Sequence, residues 1–214
     1  MEEEITPIDM ILKRSFLDFK KRRLHITDSI LQYDGKKLSL ESIIECKYGI
    51  HQMYVNGVKA NRTYTIDVRD ANENEIKILF QSAKLFGTNK QMEKDYQDIL
   101  NFLWDHCFTR ILNDVYRDLT EGKDFTVGKA VVTPKGVKMQ VRHWFKKQEH
   151  FVEWKDMRKS SQAGYFHIFS QENKRAKLSF NYQNVWNTSI LESLLSYLWE
   201  EGRAFQLAEM SERF

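Results

Sequence analysis

The second half of this chain repeats the plan of its first. Ile99-Leu100-Asn101-Phe102-Leu103-Trp104-Asp105 is echoed by Leu194-Leu195-Ser196-Tyr197-Leu198-Trp199-Glu200. Ahead of each stretch lies a paired-strand pattern. In the first copy Tyr64-Thr65-Ile66-Asp67-Val68 and Ile76-Lys77-Ile78-Leu79-Phe80 flank a polar turn, Asn72-Glu73-Asn74-Glu75. In the second copy Tyr165-Phe166-His167-Ile168-Phe169 and Lys177-Leu178-Ser179-Phe180 flank Gln171-Glu172-Asn173-Lys174. A run of strands closed by one helix, twice over, restricts the fold to repeated small α+β units. It leaves the activity open.

The chain's 214 residues give room for two ordinary domains. The expected division is 1–121 and 122–214. Hydrophobic residues make up 42% and aromatics 13%, enough to build two cores. The net charge of +3 is the small difference between 33 basic and 30 acidic residues, so no global field draws nucleic acid. Cys46 and Cys107 are too few for a disulfide framework and read as buried thiols in a reducing compartment. The acidic start Met1-Glu2-Glu3-Glu4 lacks an apolar signal, and no stretch approaches the ~20 apolar residues of a membrane span. A cytoplasmic protein is expected, with attachment to a membrane surface left open.

Ile8, Ile11, Leu12, Phe16 and Phe19 follow helical spacing, with Pro7 at the first helical position and Thr6 as cap. A short helix leading into a first strand fits the same residues. Strand patterns begin at Arg23: Leu24 and Ile26, then Ile30, Leu31 and Tyr33 across a turn at Thr27-Asp28. Asp34-Gly35 and Asn56-Gly57 are hairpin signals, because glycine accepts the positive φ such turns require. Tyr96, Ile99, Leu100, Leu103, Cys107, Ile111, Leu112, Val115 and Leu119 predict a long amphipathic helix from about Gln91 to Glu121, stopped at Gly122. Phe125, Val127 and Ala130 to Val132 open the second half, which turns at Pro134-Lys135-Gly136. Met139, Val141 and Trp144 then alternate with polar residues, and Phe151-Val152-Glu153-Trp154 reads as a further strand. The last helix carries a capping box, Ser189 with Glu192. The segment 202–214 is expected to be loosely held.

Laid out this way, each half resembles a pleckstrin-homology-like domain of the bacterial kind. Val131-Val132-Thr133-Pro134-Lys135-Gly136-Val137 looks like the family's first hairpin, and Phe151-Val152-Glu153-Trp154-Lys155-Asp156-Met157 like its hydrophobic-x-Trp-x-x-hydrophobic strand end. Leu24 to Ile30 and Ile43-Ile44-Glu45-Cys46 are the first half's weaker equivalents, without the tryptophan. The resemblance implies an α+β protein, mainly antiparallel, of two tandem bent-sheet or barrel units, each closed by an amphipathic helix. It also implies a mostly non-enzymatic protein that binds partners through loops or strand edges. Eukaryotic members of the family often bind phosphoinositides or peptides.

Lys20-Lys21-Arg22-Arg23 is the densest basic run, and Lys36 and Lys37 could join it against an anionic lipid headgroup. The plainer account is a solvated strand start. His143-Trp144-Phe145-Lys146-Lys147 mixes rings and bases, yet alternating spacing and the balanced charge argue against nucleic acid. Cys46 with His51, and His106 with Cys107, lack repeated metal-ligand spacing. No P-loop, dinucleotide fingerprint, metalloprotease motif or nucleophile elbow occurs, and no cofactor or metal is expected. Ile111, Leu112, Val115, Tyr116 and Leu119, on the far half of the long helix, either pack on the second domain or meet a partner, including a second copy in a homodimer. The leading expectation is a non-enzymatic interaction or scaffold module with a protein partner. The alternatives are peripheral binding to anionic lipid and an enzyme of unrecognised class.

Overall fold

The computed structural model describes residues 6–14, 18, 20–81, 89–143, 146–199 and 202–210, without the side chains of Lys59, His143, Lys146 and Met210. Over these residues the chain is a mixed α+β protein built mostly of antiparallel sheet. It divides into two compact units, Met1–Thr109 and Arg110–Phe214.

In the first unit, β1 (Ile8–Leu12), β2 (Arg22–Ile26), β3 (Ile30–Tyr33) and β4 (Lys36–Ser39) pair in chain order. The alternation in Leu24-His25-Ile26 holds, with Leu24 and Ile26 fully buried. Thr27 Oγ1 accepts the Ser29 and Ile30 backbone N–H groups at 3.3 and 3.2 Å and sets the first turn. Asp34 and Gly35 both take positive φ, 48° and 81°, as the two-residue hairpin requires. The helix expected from Ile8 is instead β1, in which Ile8 pairs with Ile26 and Leu12 with Arg22. Ile11 stays exposed, so its helical spacing from Ile8 marks no buried face. Backbone pairing with β2 and β-branched side chains decide the outcome. Phe16 and Phe19 lie outside the described residues.

A single 3₁₀ turn, Leu40–Ser42, with Leu40 buried, leads into a second sheet of β5 (Ile43–Val55), β6 (Val58–Asp70) and β7 (Glu75–Gln81). The expected pairing of the last two strands holds, with Tyr64 opposite Phe80, Ile66 opposite Ile78 and Val68 opposite Ile76. The Tyr64 and Phe80 rings stack at 5.1 Å. The Asp70 carboxylate closes the turn by accepting from the Asn72 and Asn74 N–H groups and the Asn74 amide, each at 2.9 Å. The two sheets are not a closed barrel. They meet where the Tyr33 hydroxyl donates to the Leu79 carbonyl and Gln81 N–H to that of Lys13, both at 3.1 Å.

Asn89 caps α1 (Lys90–Leu103), its side chain accepting Gln91 N–H. The helix buries Tyr96, Ile99, Leu100, Phe102 and Leu103, and Tyr96 lies 5.2 Å from the Tyr64 ring. It passes through a π-helical turn, Trp104–Phe108, into α2 (Thr109–Thr120), and Gly122 follows with φ 81°. The wider turn resets the phase of the apolar stripe. It buries Cys107 and Phe108, with Cys107 Sγ 3.5 Å from the Leu40 carbonyl. The Trp104 indole N–H donates to the Tyr48 hydroxyl at 3.0 Å, and the Tyr48 and Phe108 rings stack.

In the second unit, β8 (Phe125–Val127), β9 (Ala130–Thr133), β10 (Gly136–His143) and β11 (Lys146–Glu153) form one meander. A 3₁₀ turn, Trp154–Asp156, leads to the second, β12 (Met157–Gln162), β13 (Tyr165–Ser170) and β14 (Lys177–Asn181). α3 (Thr188–Trp199) and α4 (Arg203–Met210) follow. The core joins Val132, Val137, Met139, Trp154, Met157, Phe166, Ile168 and Phe180 to Leu191, Leu194, Leu195 and Leu198 of α3. α3 starts at Thr188, before the Ser189 of the expected capping box. The Glu192 carboxylate is held by the Ser161 and Tyr182 hydroxyls instead. Of the segment 202–214, the described part to Met210 is more ordered than expected, since α4 buries Ala204 and Leu207 in the same core. Two buried positions are too sparse a pattern to announce a helix.

Replacing Leu207 by Ala should therefore destabilise the second unit by about 2–5 kcal/mol, as for other buried leucines. Gly136→Ala should destabilise it too, because a Cβ there would run into the Val152 carbonyl oxygen. Denaturant unfolding measures both; a Leu207→Ala change below about 0.5 kcal/mol, the level of a surface site, would remove α4 from the core.

Candidate interaction surface

The basic run is embedded in carboxylates. Arg22 is buried, and its guanidinium donates to Asp18 and, at 3.1 Å, to Asp34. Asp34 also pairs with Lys20 at 2.6 Å and with Arg14 at 3.2 Å. Arg23 holds Asp9 with two hydrogen bonds, one from Nε at 2.7 Å. Three of the four cations are thus matched by acids that strand pairing brings from 12 and 14 positions away. Lys21 is exposed. Lys36 Nζ donates to the Glu75 carbonyl at 2.9 Å. Lys36 and Lys37 border an open hollow of about 760 Å³ that Asp70, Glu73 and Glu75 also line, so acids outnumber bases there.

The far half of the long helix lies in the second unit. Leu119 is in its core, and Leu112, Val115 and Tyr116 pack against that core. Tyr116 meets Tyr197 edge-on at 5.1 Å. Ile111 is buried as well.

The residues considered for chemistry are dispersed. Cys46 and Cys107 are buried thiols. The His106 ring meets the Phe102 ring at a tilt of 46°, and His51 is exposed on β5. Among the described residues no group of three or more His, Cys, Asp or Glu is placed to hold a metal ion, and no helix is long and apolar enough to cross a membrane. Trp144 and Phe145 lie outside the described residues. On the β12–α3 face Lys159 reaches the Ser196 hydroxyl, but that hydroxyl itself donates to the Glu192 carbonyl one helical turn back. The contact ties strand to helix. A second hollow of about 410 Å³ is bordered by Lys129, Arg142 and Lys177, all three exposed and solvated.

The feature that composition did not announce is the end of the β5–β6 hairpin. Among the described residues β7 pairs with β6 from Thr63 to Arg69, and Gln52–Arg62 continues past that pairing as a two-stranded ribbon turning at Asn56-Gly57. Its base is pinned. Arg62 donates to the Gln52 side chain at 2.7 Å and to Glu93 of α1, and Gln52 donates to the Ala60 carbonyl at 3.2 Å. Its end is bare: Met53 is 43% exposed, Tyr54 59%, Val55 49% and Val58 54%. Val55 faces Val58 across the ribbon, and Tyr54 faces Lys59. Adjacent residues of a strand point to opposite sides, so both faces carry exposed apolar groups. The signal in the sequence is the loss of alternation in Met53-Tyr54-Val55 beside a hairpin turn.

Neither a protein-family model nor a curated protein sequence matches the chain.

The carboxylates have a measurable consequence. The hydrogen bond from Lys20 holds Asp34 below the usual carboxylate range, that from Arg23 does so for Asp9, and that from the Asn74 side chain for Asp70. A depressed carboxyl lends stability that is complete above its unfolded value, about 3.9, and is lost as pH falls through the folded value. Urea midpoints should therefore hold steady from neutral pH to about 5 and fall below about 4, with a shallower acid slope in Asp34→Asn. An unchanged slope in that variant would mean the Asp34 pairs add no net stability.

Proposed function

We propose that this chain is a non-catalytic interaction module made of two pleckstrin-homology-like units, and that it engages its partner through the apolar end of the β5–β6 ribbon. The single observation that carries the reading is that end, with four apolar side chains in water on a projection whose base is fixed. Contiguous exposed apolar surface on an otherwise packed protein marks an interaction site. The order of parts supports the family reading. Each unit has a four-stranded meander, one 3₁₀ turn with a buried apolar residue (Leu40 or Trp154), a three-stranded meander and then a helix. In this reading Leu40-Glu41-Ser42-Ile43 is the first unit's counterpart of Trp154-Lys155-Asp156-Met157. It lies three residues before the segment whose pattern had suggested the match. Two buried cysteines in the thiol form support a reducing compartment, and so a cytoplasmic setting.

A photo-crosslinking amino acid at position 54 should form adducts with a protein or a lipid in the native cell, whereas the same group at exposed Glu172 should form few. Equal yields at the two positions, or none at 54, would remove the ribbon from the interaction.

A further inference from the structure

The ribbon's chemistry narrows the partner. We infer that the end of the β5–β6 ribbon inserts into the interface of an anionic lipid bilayer; this rests on the ribbon being the interaction site.

The apolar groups do not form one face. Val55 and Val58 lie on one side and Tyr54 on the other, with Met53 beside the irregularity between Gln52 and Tyr54. A protein groove that covered one side would leave the other in water. Immersion in a bilayer interface covers both at once. The shape agrees, because the end is a convex finger rather than a groove. From Gln52 to the turn at Asn56 it extends about 13 Å at the rise of a strand, enough to place its tip at the about 5–10 Å depth reached by interfacial segments. Tyr54 has the amphipathic ring that favours this depth.

Charge selects the kind of bilayer. From Cys46 to Ile66 the chain contains no Asp or Glu, while Lys47, Lys59 and Arg62 are basic. Lys47 and Arg62 are engaged near the sheet by Asp67 and Glu93. Lys59 sits in the register position opposite Tyr54, beside the tip, on a ribbon with no carboxylate of its own. An anionic surface is complementary to that end, and the like charge disfavours a symmetric pairing of two copies through it. The Lys20 to Arg23 run differs in that three of its four cations, Lys20, Arg22 and Arg23, already face Asp9, Asp18 and Asp34.

The test is co-sedimentation of the full chain with phosphatidylcholine vesicles with and without phosphatidylglycerol. Wild type should bind the anionic vesicles. Tyr54→Ser/Val55→Ser/Val58→Ser should lower the partition at least tenfold while keeping the wild-type thermal midpoint, since these groups are exposed. Lys59→Gln should lower it about fivefold, the equivalent of about 1 kcal/mol per basic residue at an anionic surface. Lys20→Gln/Lys21→Gln should leave it within twofold. A bimane on Tyr54→Cys, the native thiols being buried, should shift to the blue on binding and be quenched by brominated acyl chains. Binding that survives the triple serine variant, or is lost only with Lys20 and Lys21, would overturn the inference. So would no vesicle binding together with protein adducts at position 54, which would leave the ribbon as a protein-docking site. No vesicle binding and no adducts would remove both readings.

Discussion

The second unit depends on one buried indole. Trp154 sits on the 3₁₀ turn between the two sheets, donates its N–H to the Pro134 carbonyl at 2.7 Å, and meets the Trp199 ring edge-on at 5.9 Å. A single side chain thus links the turn of the β9–β10 hairpin, the sheet junction and the closing helix. Open antiparallel meanders have one apolar face that something must cover, and short sheets are marginal until it is covered. In the first unit the same place in the strand order belongs to Leu40, whose side chain has no donor. There the Leu40 carbonyl faces the Cys107 thiol, and aromatic packing moves to Tyr64, Phe80 and Tyr96. The π-helical turn is part of this solution, since it brings Cys107 and Phe108 into the core beside Trp104.

Much of the strand order was legible because its turns obey local chemistry. Asp34-Gly35 and Asn56-Gly57 take the positive φ their residue types permit, and Gly136 sits where a Cβ would strike Val152. The elements that escaped are those decided by tertiary contact. β1 shows helical spacing but is held by pairing with β2. α4 is held by Ala204 and Leu207 alone among its fully buried positions, and Glu192 is drawn away from a capping role by Ser161 and Tyr182. Local propensity is a weak prior wherever such contacts compete with it.

Charge was the less legible part. A linear reading counts Lys20, Lys21, Arg22 and Arg23 as one basic run. Folding then sets Asp9 beside Arg23 through the β1–β2 ladder, and Asp34 beside Lys20 and Arg22. The Arg22 pairs with Asp18 and Asp34 are partly buried and screened less than the exposed Arg23–Asp9 pair, so they neutralise their neighbourhood more fully than a count of residues conveys. Apolar exposure was hidden for the opposite reason. Met53, Tyr54, Val55 and Val58 have high strand propensity, and a reader of patterns assigns such residues to a core. Their exposure, past the last described β6–β7 pair at Thr63, shows only in the fold.

The ribbon is where the structure departs from its own rules. In Glu75-Ile76-Lys77-Ile78-Leu79-Phe80 every second residue faces a core, with Ile76, Ile78 and Phe80 buried. At the ribbon's end the alternation stops, both faces are apolar, and a two-stranded projection that is marginal by itself is held only at its base. Gln52, Arg62 and Glu93 form that base, and Ala60 is buried close to them in sequence. A polar tip would keep the same base contacts and remove a surface prone to aggregation. The apolar tip adds nothing to the contacts of Gln52, Arg62 and Glu93 at the base, and its exposed side chains are the surface that the proposed interaction would cover.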